Sequence, residues 1–394
     1  MMPRGKRANG EGSLYQRKDG RWESRLIIDG KRWSYYGKTQ TEAMAKRDAA
    51  KAEIIKGEYI EPSKLTLGQW LDTWFEKYTT GIRPGTLTSY DGYINGHIKP
   101  RIGDIVLSTL DTDTLQTFFN GKYRNGRLDG KGGLSEKTLK NMHDMFKRAL
   151  DQAVDSDRIS KNPINGVKLP KGTKPDRRVL DPQEQAHVVE SSYSERHGLI
   201  IRLALDTGMR EGELCGLMWT DIDFTAHTVT VKRTLQRVKS FDASTPNKTE
   251  IVIGAPKTEN SKRTIPLSYK MIQELKNAKK VYSEEKLLLG AGYDDQGFIF
   301  TSPLGGMAHE PRTVQDMFKR VIKRAGIADA NFHCLRHTFA TRALEAEQPA
   351  KVVKDILGHG SVNVTLDTYT HVSIETMRKT IDQTSEFSQT TVRI

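Results

Sequence analysis

Two stretches, TLGQWLDTWFEKY and SEKTLKNMHDMFKRALDQAV, set large apolar side chains at steps of three and four. That spacing constrains the chain most, because it commits each stretch to a helix with one buried stripe. In the first, the stripe is Leu67, Trp70, Leu71, Trp74, Phe75 and Tyr78; in the second, it is Leu139, Met142, Phe146, Ala149, Leu150 and Ala153. Ser135 is the expected N-cap of the second, with Glu136 in its first turn. Between them, NGKYRNGRLDGKGG reads as a Gly-rich basic loop. The aromatic stripes are core rather than cofactor contacts.

The period differs on the N-terminal side. SLYQR, RWESRLII and KRWSYYG are short β-rich runs separated by Asp19-Gly20 and Asp29-Gly30, strong hairpin signals. A helix follows, capped near Thr39 or Thr41 and stopped at Gly57. Arg17, Arg21, Arg25, Lys31 and Arg32 lie on these strands and turns among Trp22, Trp33, Tyr35 and Tyr36. Such a sheet can read a major groove, or it can be a solvated face over an aromatic core. Gly37 to Thr39 spells the end of a phosphate loop, but the glycine required five residues earlier is Arg32, which excludes a nucleoside triphosphatase.

KLPKGTKPDRR combines Pro, Gly and positive charge without periodicity, and marks a linker. Its Lys171 and Lys174 are candidate phosphate contacts. Beyond it the chain is mainly helical, with β-rich runs at HTVTVKRTLQRV, TEIVIGAP and KRTIPL. With 394 residues, more than one core is expected. The expected fold class is thus multidomain. A small three-stranded sheet plus helix occupies 1–60 and an all-α domain 62–168. A linker spans 169–178, and 179–394 is a mainly α domain with a small antiparallel sheet.

The net charge of +13 points to a polyanionic partner, most often nucleic acid. No apolar run approaches the ~20 residues of a membrane span, and the basic N-terminus has no apolar secretory core, so no membrane partner is expected. Two cysteines, Cys215 and Cys334, exclude a disulfide framework and fit a reducing compartment.

Four patterns in the last part carry chemistry. LDTGMREGELCGLMW places Arg210 at a helix start after a Thr-Gly break, with Glu213 on the same face. PKTENSKRTIPL places Lys257 before a polar turn joining two strands. NFHCLRHTFATRALE sets His333, Arg336 and His337 at or beside a stripe of Leu335, Phe339, Ala343 and Leu344. LGHGSVNVTLDTYTHV supplies His359 and Tyr369. Alone, each has an ordinary reading: a structural ion pair, a solvated lysine, a core tyrosine. Zinc held by His333 and His337 would require Glu directly after the first His, where Cys334 stands, and would set Arg336 against a dication.

Jointly, these residues resemble the tyrosine recombinase/phage integrase family over roughly 60–385. The family's ordered set is Arg, Lys, His-x-x-Arg, His or Trp, then Tyr. It reads here as Arg210, Lys257, His333-Cys334-Leu335-Arg336, His359 and Tyr369, with Glu213 at the supporting acidic position. The N-terminal unit looks like the arm-binding domains of phage and conjugative-transposon integrases. The resemblance implies site-specific recombination through a 3′-phosphotyrosine and a Holliday junction. No cofactor or metal is expected. The implied partners are double-stranded DNA at core and arm sites, a homotetramer on DNA and an accessory bending or excision factor. The location implied is bacterial cytoplasm, associated with the nucleoid. In this reading Tyr369 is the nucleophile, His333 the base, Lys257 the general acid, and the segment after Tyr369 docks on a neighbouring subunit. A non-catalytic architectural DNA binder, a metal-dependent hydrolase using His333, His337 and His359, and a relaxing topoisomerase are the competing readings.

Overall fold

Gly20 takes φ +82°, a left-handed conformation open to glycine, and so closes the first hairpin tightly. It joins β1 (Ser13–Gln16) to β2 (Trp22–Ile28), which pairs antiparallel with β3 (Lys31–Gly37). α1 (Gln40–Ile55) packs against β2 and β3, burying Ala43 and Ala50 with Leu26 and Ser24. Thr39 Oγ1 accepts from the Glu42 amide at 3.2 Å, which fixes the cap at Thr39. The computed structural model describes residues 13–28, 31–55, 63–171, 177–242, 244, 247–255, 261–302, 305–362 and 378. The Asp29-Gly30 turn and the helix stop at Gly57 lie outside them. The chain divides into two compact units, Met1–Gly172 and Thr173–Ile394.

The rest of the first unit is helical. α2 (Leu67–Tyr78) starts at a capping box, in which the Thr66 hydroxyl accepts from the Gln69 amide and Gln69 returns the bond. α3 (Pro84–Tyr93) runs through a π-turn at Ile94–Ile98 into α4 (Lys99–Ile102). α5 (Thr112–Asn125) and α6 (Glu136–Asp155) follow, capped by Asp111 and Ser135. The two predicted stripes meet in one core, and Trp70 Nε1 donates to the Ala149 carbonyl at 2.8 Å. Two expectations need correction. Tyr78 is 44% exposed, because the stripe rotates into solvent at the end of α2. The basic loop starts only at Gly126, because Asn120–Asn125 complete α5 and bury Lys122 there.

In the second unit, residues 178–180 form a strap on the domain's own core. The Leu180 amide donates to Thr338 Oγ1 at 3.0 Å, and the Leu180 carbonyl accepts from Arg342 at 2.9 Å. α7 (Pro182–Ser192), the apolar α8 (Leu199–Thr207) and the short α9 (Glu211–Cys215) come next. Strands β4 (Ile222–Asp223), β5 (Thr228–Val231), β6 (Thr234–Lys239), β7 (Thr249–Gly254) and β8 (Arg263–Pro266) precede the long helix α10 (Tyr269–Leu289). α11 (Pro311–Arg324), α12 (His333–Glu345) and α13 (Ala350–Leu357) complete the described helices.

The expected single sheet is two small antiparallel sheets, ordered β4-β5-β8 and β6-β7. β7 therefore pairs with β6, and β8 with the earlier β5. The described strands on either side of Lys257, β7 and β8, are thus not paired with each other. α12 buries Leu335 in the main core, while Phe339, Ala343 and Leu344 pack into a small second cluster with Val353 and Leu357. Cys215 and Cys334 are free and buried, and burial pushes the Cys334 thiol up to about 12. No helix among the described residues is long and apolar enough to cross a membrane.

Candidate active site

Helix α8 ends at Gly208, whose φ of +62° reverses the chain and presents Arg210 as the N-cap of α9. A side chain at Gly208 would meet Phe339 Cδ1 at 2.5 Å, so the tight turn and the approach of α12 require glycine together. Glu213, 2% exposed, accepts from the Arg210 amide at 2.9 Å and from Arg210 Nη1 at 2.8 Å. The Arg210 side chain remains 38% exposed. Burial opposes ionisation of Glu213, but Arg263 and Arg210 outweigh it and hold the carboxyl below its ordinary value.

Arg336 is 3% exposed and donates to two helix-terminal carbonyls, Gly208 at 2.7 Å and Leu357 at 2.8 Å. The negative end of a helix dipole stabilises a cation at such a position. The next carbonyl, Gly358, accepts from Arg210 Nη2 at 3.4 Å. The C-terminal end of α13 thus holds both guanidiniums. Each has further N–H groups beyond those that the backbone uses. Gly358, at φ +66°, then turns the chain to His359.

The His333 and His337 rings meet edge to face at 4.6 Å. His333 opens the first turn of α12 and keeps an exposed face beside the buried stripe. Burial and the charges of Arg336, Arg210 and Arg177 lower its pKa. Burial, His333 and Arg177 bring His337 to about 4. Burial and the same arginines bring His359 to about 4. All three rings are therefore neutral at pH 7. Neutral folded rings that protonate on unfolding make the unfolded chain the better proton binder. Stability is full above the ordinary histidine value of 6.5 and is lost as pH falls from there toward about 4. Histidine-selective NMR of the free protein is expected to give midpoints near 4 for His337 and His359; midpoints at or above 6.5 would contradict this electrostatic picture.

The structure brings together Arg210, Glu213, His333, Arg336 and His359. Lys257, Tyr369, Lys174 and, apart from residue 378, the segment after Tyr369 lie outside the described residues. Sequence reasoning missed Arg263, whose guanidinium grips Glu213 at 3.2 and 2.9 Å. It also missed Arg177, whose charge reaches all three histidines. The signal for Arg263 was an arginine opening a strand beside the buried Ile265; its partner is fifty positions away.

Of the arm candidates, Arg25 and Arg32 lie on the sheet face opposite the buried Leu26, and Arg17 and Arg21 flank the first turn. Arg17 and Arg25 close on the buried Glu23 at 3.1 and 2.8 Å, and Ser34 adds a third bond at 2.9 Å. Burial opposes the charge on Glu23, but hydrogen bonds from Tyr15, Arg25 and Ser34 prevail and bring it down to about 2. Arg21 pairs with Asp19 at 2.7 Å in the turn. Arg25 stacks over Tyr15 and Arg17 over Tyr36. Arg32 and Lys171 are exposed, and Lys31 opens β3. Three of the five arm cations are thus already engaged by carboxylates.

Two family descriptions match the chain: "Phage integrase family" over residues 179–376 and "Phage integrase, N-terminal SAM-like domain" over 66–123. A tyrosine recombinase XerC-like protein of Caldanaerobacter subterraneus subsp. tengcongensis is 32% identical over 364 residues, 90% of each chain. Among solved structures, the Tn1549 transposon integrase in complex with a circular intermediate DNA aligns with TM-score 0.64 at 23% identity, covering 81% of this chain and 99% of that one. A lambda integrase tetramer bound to a Holliday junction aligns with TM-score 0.54 at 21% identity, covering 94% and 99%. The two structural likenesses speak for the fold. Together with the extended match to the XerC-like relative, the family descriptions establish that this chain belongs to the phage integrase family and is a tyrosine-type site-specific DNA recombinase.

Proposed function

We propose that Arg210, Lys257, His333, Arg336, His359 and Tyr369 form one phosphoryl-transfer centre that cleaves and rejoins DNA. The observation that carries this reading is the convergence of Arg210 and Arg336 on the C-terminal carbonyls of α13, one residue from His359. Attack at a phosphodiester builds charge on the non-bridging oxygens, and two preorganised guanidiniums can take it up through charge-assisted bonds. Tyr369 Oη attacks phosphorus and the bond to the 5′-oxygen breaks. The products are a 3′-phosphotyrosine and a 5′-hydroxyl. A phenol is mostly protonated at pH 7, so it needs a base. His333, whose pKa is lowered by burial and then by the charges of Arg336, Arg210 and Arg177, accepts that proton. Lys257 protonates the leaving 5′-oxygen, and His359 donates to a non-bridging oxygen. Rejoining runs the same steps backwards with an incoming 5′-hydroxyl. The covalent link conserves the bond, so no nucleotide hydrolysis is needed.

In this reading residues 1–60 bind arm sites, 62–168 bind the core site and 179–394 carry the chemistry. The cationic linker at 169–178 lets the latter two grip one duplex. Lys171 and Lys174 meet phosphates, and Arg17, Arg21, Arg25, Lys31 and Arg32 supply the arm surface. The working form is a tetramer on two DNA sites, assembled through the segment after Tyr369, as the tetrameric lambda integrase complex suggests by analogy. Accessory bending or excision factors would set direction. Binding should weaken steeply with salt, because each neutralised phosphate releases counterions.

The test is Lys257→Ala on two substrates. Cleavage of ordinary DNA is expected to slow on the order of 100-fold, the scale of lost general-acid catalysis. A bridging 5′-sulfur should restore it, because a thiolate leaves without a proton. Slow cleavage of both substrates would remove the general-acid assignment.

A further inference from the structure

Three arginines from three elements meet the last turn of α13 through successive carbonyls. Arg263 Nε donates to Ile356, Arg336 Nη2 to Leu357 at 2.8 Å, and Arg210 Nη2 to Gly358 at 3.4 Å. Arg263 alone of these also grips Glu213 with both terminal nitrogens, at 3.2 and 2.9 Å, and donates to the Ser261 carbonyl at 3.1 Å. Its side chain is 7% exposed and every nitrogen is engaged, so it is not placed to meet DNA. Glu213 therefore serves two cations through both oxygens: Oε1 accepts from Arg210 Nη1 and Arg263 Nη1, and Oε2 from the Arg210 amide and Arg263 Nη2.

We propose that Arg263 is a positioning residue of the recombinase. It fixes the start of β8, at the end of the segment that carries Lys257, to the turn that carries His359. It also shares the charge of Glu213, which leaves Arg210 under-neutralised and available to a phosphate. The proposal rests on the active-centre assignment above. The physical logic is that of a shared counter-ion. One carboxylate against one guanidinium cancels; one against two leaves a net positive charge, held in a fixed place by the fork geometry of arginine. Lysine cannot reproduce this, since one ammonium has no planar fork to span Glu213 and the Ile356 carbonyl.

The test uses the full chain with a nicked suicide duplex and measures single-turnover cleavage at saturating DNA beside DNA affinity. Arg263→Ala is expected to slow cleavage on the order of 100-fold, the scale of a small misplacement at a reacting centre. DNA affinity should be nearly unchanged. Arg263→Lys, which keeps charge and most packing, should be slow as well and serves if the alanine variant does not fold. Adding Glu213→Gln to Arg263→Ala should slow it little further, because residues acting as one unit are non-additive. Wild-type rates in Arg263→Lys, or losses that multiply in the double variant, would overturn the proposal. Unimpaired cleavage by Arg210→Ala would instead overturn the active-centre assignment, and this proposal with it.

Discussion

Tyr369→Phe is expected to yield no covalent protein–DNA adduct on a nicked suicide duplex, while duplex binding stays nearly intact. The substitution removes one oxygen and almost no volume. If that oxygen is the atom that bonds to phosphorus, no other group in the proposed centre replaces it: the arginines and His359 would take up charge, and His333 and Lys257 would move protons. Binding draws instead on phosphate contacts spread over a chain with net charge +13. A denaturing gel of the trapped complex reads the outcome directly. An adduct that persists in the Phe variant would place the nucleophile on another residue.

Arg336→Ala is expected to slow cleavage about 100- to 1000-fold, the range for loss of one preorganised donor to a developing oxyanion. It should also lower the melting temperature. The Gly208 and Leu357 carbonyls each lose a charged donor in a buried place, and each orphaned group costs about 1–3 kcal/mol. Arg336→Lys separates the two effects. It returns a positive charge without the fork that spans both carbonyls, so stability should recover further than rate. Equal recovery of both would mean that charge alone, rather than its placement, drives the chemistry.

What could be read from the sequence was local. The apolar stripes of α2 and α6, the Ser135 cap and the Arg210–Glu213 spacing depend on neighbours within one helical turn, and apart from Tyr78 the structure has them as expected. Strand pairing depends on distant segments. Alternation marks Thr228–Val231 and Arg263–Pro266 as strands, but nothing local says that they pair with each other across β6 and β7. The same limit hid Arg263, whose role comes from Glu213 and Ile356, far from it in the chain. It also hid the burial of Lys122 at the end of α5, where composition alone suggested a loop. On the first sheet, composition exposed a basic surface but not Glu23, which binds Arg25 two positions along its own strand and Arg17 from the adjoining turn.

In the proposed centre, fixed side-chain cations support attack by a tyrosine on phosphorus. The most direct measurement traps wild-type protein on a suicide duplex with and without a strong chelator, then maps the modified peptide by mass spectrometry. A nucleotide joined to Tyr369, in equal yield under both conditions, is the expected result. An adduct on any other residue, or a yield that collapses in chelator, would contradict it.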